Sequence, residues 1–116
     1  DATNSINMGL HDSIFYIQIN DGAWAGEYYN NAVSAGSWTH VGFTGNSGTL
    51  KIYLDGILVT SLSGVVKGSA GGTLRARIGC HLDAIDDTFV GNIADIRIYN
   101  KALTTAEILQ IYRGQS

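Results

Sequence analysis

Gly48-Thr49-Leu50-Lys51-Ile52-Tyr53-Leu54-Asp55-Gly56-Ile57-Leu58-Val59-Thr60-Ser61-Leu62 is the stretch whose reading decides the fold. Its side chains alternate. Leu50, Ile52 and Leu54 point one way, and Lys51, Tyr53 and Asp55 point the other, which is the period of a strand. Asp55-Gly56 is the strongest hairpin signal in the chain, because a type I′ turn needs positive φ at both central residues. Ile57 to Leu62 then reads as the return strand.

The same alternation extends to both sides. Upstream, Trp38 to Thr44 reads as a strand, with Asn46-Ser47-Gly48 turning the chain and Ser34-Ala35-Gly36 as the loop before it. Further back, Ile14 to Ile19 reads as a strand, Asn20-Asp21-Gly22 as its turn, and Ala23 to Tyr29 as a segment pairing back. Downstream, residues 63–72 carry four glycines and read as a flexible connection. Leu74 to Ile78 alternates again, Gly79 to Thr88 is an acid-rich loop, and Phe89 to Tyr99 reads as a long final strand with a bulge at Gly91. One helix is well signed. Thr104 is an N-cap and Glu107 completes a capping box, Leu103 and Ile108 have the spacing of a hydrophobic staple, and Gly114 is the stop. Strands at this spacing with glycine-rich turns predict an all-β antiparallel sandwich with one short C-terminal helix.

Composition narrows the function classes. The chain has 116 residues, 45% of them hydrophobic and 15% charged, with a net charge of −3 and no proline. That length reads as a single domain over 1–116 with one core. Lys and Arg never cluster, which argues against a nucleic-acid groove. No apolar run reaches the ~18 residues of a membrane span. The chain opens on Asp1 and shows no signal peptide, so it reads as a processed or excised piece. Cys80, the single cysteine, has no internal disulfide partner. It reads as a small buried thiol, with an intermolecular bridge or a metal ligand as the alternatives.

Three segments in order resemble one family. Trp38-Thr39-His40-Val41-Gly42-Phe43-Thr44 with Gly48 to Gly56, then Ile78-Gly79, then Phe89-x-Gly91-x-Ile93-x-Asp95-Ile96-Arg97-Ile98-Tyr99-Asn100-Lys101-Ala102-Leu103-Thr104 with Glu107-Ile108 and Tyr112, are similar to laminin-G-like domains of the concanavalin A-like lectin/glucanase superfamily. The resemblance covers residues 38–113. It implies a two-sheet jelly roll, most of whose relatives bind sugars or proteins without catalysis. Family domains carry several more strands before the segment equivalent to 13–19, whereas here only Asp1 to Asp12 precede it. The resemblance therefore implies a domain lacking the family's N-terminal strands. Either a segment is missing from the chain, or it closes differently, or a second chain supplies the cover, as in a homo-oligomer.

Candidate sites follow from side-chain chemistry. Trp24, Tyr28 and Tyr29, beside Asn20 and Asp21, combine rings that pack on sugar CH faces with groups that bond hydroxyls. The competing reading is that these rings are buried or form an oligomer contact. Asp83, Asp86 and Asp87 with Asn92 can supply part of a calcium shell, and calcium sites in some family members raise that expectation. The competing reading is a solvated acidic loop. Lys51, Tyr53, Arg75, Arg77, Asp95 and Arg97 read as an outer sheet face, solvated or cationic for a ligand. Trp38 reads as core and His40 as a hydrogen-bonded structural residue.

No catalytic set is found. A retaining glycanase needs paired carboxylates on alternating strand positions, and this chain has only Glu27 and Glu107 as glutamates. Cys80-His81 are adjacent, so on a strand they face opposite ways. The sequence thus predicts a non-enzymatic module, extracellular or on the cell surface, that meets carbohydrate or an extracellular protein. The alternative is a self-assembling structural subunit whose sandwich a partner chain completes.

Overall fold

The computed structural model describes residues 4–11, 14–21, 24–30, 33–46, 48–63 and 89–114. They form two compact units, Asp1–Val33 with Val66–Ile96 and Ser34–Val65 with Arg97–Ser116. The expected strands at Leu74–Ile78, the loop at 79–88 and the 63–72 connection (apart from Ser63) lie outside the described residues.

The first unit holds a three-stranded antiparallel sheet of β1 (Asn4–His11), β2 (Ile14–Asp21) and β3 (Trp24–Asn30), in that spatial order. β2 and β3 pair as the alternation predicts, with a register shift between Ile19 and Asn20. Phe15 and Ile17 on the central strand are buried. β1 was not read from the sequence. Its signal is the alternation of Ile6, Met8 and Leu10, and Met8 pairs with Ile17.

The second unit holds β4 (Val41–Asn46), β5 (Thr49–Leu54) and β6 (Ile57–Leu62), again antiparallel with the middle strand central, followed by helix α1 (Thr105–Tyr112). Leu50, Ile52 and Leu54 are all buried, as their alternation requires. Asp55 and Gly56 have φ of 50° and 77°, the left-handed pair that a tight hairpin needs. The hairpin register shifts once. Ile52 pairs with Thr60 and Tyr53 with Leu58, so Val59 is the extra residue of a bulge. An eight-residue helix is too short to hold itself in water. Here Tyr53, Leu103 and Ile108 form one buried cluster with Ile111 packed on it, and each such side chain contributes about 1.5–3 kcal/mol on burial.

Three expectations are corrected. β4 begins at Val41 rather than Trp38, and Trp38 is 70% exposed, so it is not core. Tyr53 is fully buried rather than part of a solvated face, because α1 covers its end of the sheet. Residues 89–99 contain no strand. Gly91 has φ of 153° and Asp95 φ of 54°. Two left-handed positions in one run break the pleat that would put Ala94, Ile96 and Ile98 on one face. Arg97 and Asp95 therefore do not share a sheet face with Lys51. With no strand there, Gly91 is not the bulge its sequence suggested, and a Cβ at this position would lie 2.9 Å from the Phe89 ring.

Candidate functional site

The second unit carries a cleft of about 590 Å³, lined by Thr44, Asn46, Thr49 and Lys51 from the β4–β5 pair and by Ala102, Leu103, Thr104 and Thr105 from the lead-in to α1. The ladder explains the lining. Thr44 pairs with Lys51 and Asn46 with Thr49, and positions two apart on a strand share a face. The four therefore make a polar grid two residues long and two strands wide. Two residues along a strand span about 7 Å and neighbouring strands sit about 5 Å apart, the scale of one sugar ring. One further step along the same face lies Tyr53, where α1 closes over the sheet.

The α1 side of the cleft is fixed by its cap. The Glu107 N–H donates to Thr104 Oγ1 at 3.2 Å, and the Thr104 N–H donates to Glu107 Oε1 at 3.0 Å, the reciprocal box read from the sequence. Leu103 and Ile108 flank it as the staple, both buried. The Tyr53 hydroxyl and Thr105 Oγ1 share a hydrogen bond at 3.2 Å. Lys101 Nζ donates to Glu107 Oε2 at 3.4 Å. The Glu107 carboxyl is held below its ordinary value, first by the Thr104 N–H, then by the Thr104 hydroxyl and the nearby Lys101 ammonium. The helix ends with the Gly114 N–H donating to the Ile111 carbonyl at φ 80°.

The opposite end of the unit is clamped through the backbone of His40. Its N–H donates to Asp55 Oδ1 at 2.9 Å, and its carbonyl accepts from the Asp55 N–H at 2.8 Å. The imidazole lies against Tyr112, ring centres 5.8 Å apart, and its buried Nδ1 has no hydrogen-bond partner among the described residues. His40 is thus structural, but its ring acts by packing.

The sequence-derived sites fare unevenly. The β2–β3 pairing sets Asn20 opposite Trp24 in the ladder and Asp21 opposite Asn4. Positions 28 and 29 are consecutive in β3 and fall on opposite faces. Asp83, Asp86 and Asp87 lie outside the described residues, and Asn92 is exposed. Among the described residues no group of His, Cys, Asp and Glu comes together to hold a metal ion. Thr44, Asn46 and Thr49 were not singled out from the sequence. Their only signal was symmetric spacing about the Ser47-Gly48 pair, which becomes informative once the register is known.

The Laminin G-like family model described as the concanavalin A-like lectin/glucanases superfamily matches residues 1–109. The chain belongs to this superfamily. The match includes the front third that the sequence motifs did not cover. This laminin-G-like chain is also similar to the crystal structure of an S-layer domain-containing protein (residues 221–444) from Clostridium thermocellum. The TM-score is 0.58 with 22% identity, over 97% of this chain and 58% of that one. The likeness shows a shared fold, and this chain spans little more than half of that structure. No curated protein matches it.

Proposed function

We propose that this laminin-G-like chain is a non-catalytic recognition module, displayed outside the cell or on its surface, that binds carbohydrate. The observation that carries the reading is the polar grid of Thr44, Asn46, Thr49 and Lys51 in an open cleft with one apolar wall, Ala102 and Leu103. Hydroxyl, amide and ammonium groups spaced at the scale of a sugar ring suit a polyhydroxylated ligand. Superfamily membership and the S-layer domain-containing relative fit an extracellular module, and among the described residues no helix is long and apolar enough to cross a membrane. Glu107 is committed to its helix cap, which leaves Glu27 as the one other glutamate for hydrolysis.

A glycan array tests this with two variants. Binding lost on Thr49→Val places the sugar in the cleft, and binding lost on Trp24→Ala places it at the β2–β3 end. An array with no bound glycan removes the reading. Calcium held by Asp83, Asp86, Asp87 and Asn92 belongs to the same proposal. A melting temperature unmoved by calcium or by EDTA removes it, since a ligand at 100 times its Kd adds about 2.7 kcal/mol.

A second reading, a self-assembling subunit, is favoured by the exposure of apolar side chains in the run from Phe89 to Tyr99. Val90 is 94% and Ile98 90% exposed.

A further inference from the structure

We propose that the β4–β5 cleft selects acidic sugars, with the Lys51 ammonium holding a uronate carboxylate while the Thr44 and Thr49 side chains meet ring hydroxyls. The inference rests on the carbohydrate reading above and adds the ligand's charge. Three observations carry it.

The first is the state of the lining groups. The Thr104 hydroxyl accepts from the Glu107 N–H, and the Thr105 hydroxyl bonds the Tyr53 hydroxyl. Lys51 is half-buried, lines the cleft, and has no ion pair among the described residues. An ammonium partly withdrawn from water gains most from an anion.

The second is that the acids of the same unit are engaged elsewhere. The second unit contains two, Asp55 and Glu107. Asp55 accepts the His40 N–H, and Glu107 binds the Thr104 N–H and Lys101.

The third is charge asymmetry. The second unit sets Lys51, Arg97, Lys101 and Arg113 against those two acids, a formal charge of +2, while the whole chain carries −3. Within the cleft itself the lining carries, among the described residues, one charged side chain, the Lys51 ammonium, and no carboxylate, a local asymmetry that suits an anionic ligand.

The test is titration calorimetry of the whole chain with oligogalacturonate, with the same oligomer as its methyl ester, and with neutral gluco-oligosaccharides. The ester keeps the ring and removes the charge. The free acid is expected to bind at least about ten-fold more tightly than the ester, and added salt should narrow that gap. Lys51→Met should abolish the preference, whereas Arg113→Gln should keep it. Circular dichroism confirms that both variants fold. Equal binding of acid and ester, or Lys51→Met with an undiminished preference, overturns the inference. Neutral sugar bound as tightly as the free acid by the wild type overturns it and leaves the carbohydrate reading standing. Wild type that binds none of the three sugars overturns the inference, and an array without any bound glycan overturns the carbohydrate reading with it.

Discussion

Gly56 joins the two levels of the second unit. Its φ of 77° closes the β5–β6 turn, and a Cβ there would lie 3.0 Å from Leu109 Cδ1 and from Tyr112 Cβ. Backbone strain and helix displacement both oppose a side chain. Gly56→Ala is expected to destabilise the protein by about 1–3 kcal/mol, read as a lower midpoint in urea. An unchanged midpoint would show that α1 does not rest on this turn. Tyr53 separates two contributions to the same contact. Tyr53→Phe removes only the bond to Thr105, whose exposed hydroxyl returns to water, and should cost about 0.5–1.5 kcal/mol. Tyr53→Ala also opens a cavity under the helix and should cost about 3–5 kcal/mol. Equal losses in the two variants would mean that the hydrogen bond, rather than the ring, holds α1 down.

For α1 as an element, stability at the N-terminus depends on pH through Glu107. Its carboxyl titrates below the ordinary value of 4.5 in the folded chain. The cap's contribution is therefore complete above that value and is lost as pH falls through the lower, folded one. Thr104→Ala should cost about 1 kcal/mol at neutral pH. Glu107→Gln should flatten the part of the acid-unfolding profile that lies below pH 4.5. A Glu107 carboxyl that NMR finds titrating at or above 4.5 would contradict the reciprocal cap. This element was legible in full, because a capping box, a staple and a terminal glycine are local devices separated by three to five residues. The run from Phe89 to Tyr99 was not. Its alternation reads as a strand, yet left-handed backbone at Gly91 and Asp95 interrupts it. Asparagine and aspartate tolerate that conformation, so nothing at Asp95 announces whether it is adopted.

At the scale of the molecule, the exposed apolar residues of that same run set an expectation about association. Val90 and Ile98 lie almost wholly in solvent, and exposed apolar surface commonly marks an interaction site. The isolated chain should show a weight-average mass that rises with concentration in sedimentation. Val90→Asp with Ile98→Asp should return it to 12.4 kDa without lowering the melting temperature. A mass of 12.4 kDa at every concentration for the wild type would remove the self-assembly reading.

What the sequence determined by itself was the local and the periodic. It specified the antiparallel strands about Asp55-Gly56, the buried set Leu50, Ile52 and Leu54, the capped helix, and the superfamily. The first three follow from a backbone preference or a side-chain period within about ten residues, and the superfamily from the resemblance of three segments spread over residues 38–113. Only the tertiary structure decided which face of β5 is covered. Lys51 and Tyr53 alternate identically in sequence, yet Tyr53 is sealed under α1 and Lys51 lines an open cleft. The difference is where a helix fifty residues later comes to rest. Burial at one point of a strand depends on chain that returns from far away, and no spacing within the strand encodes that return.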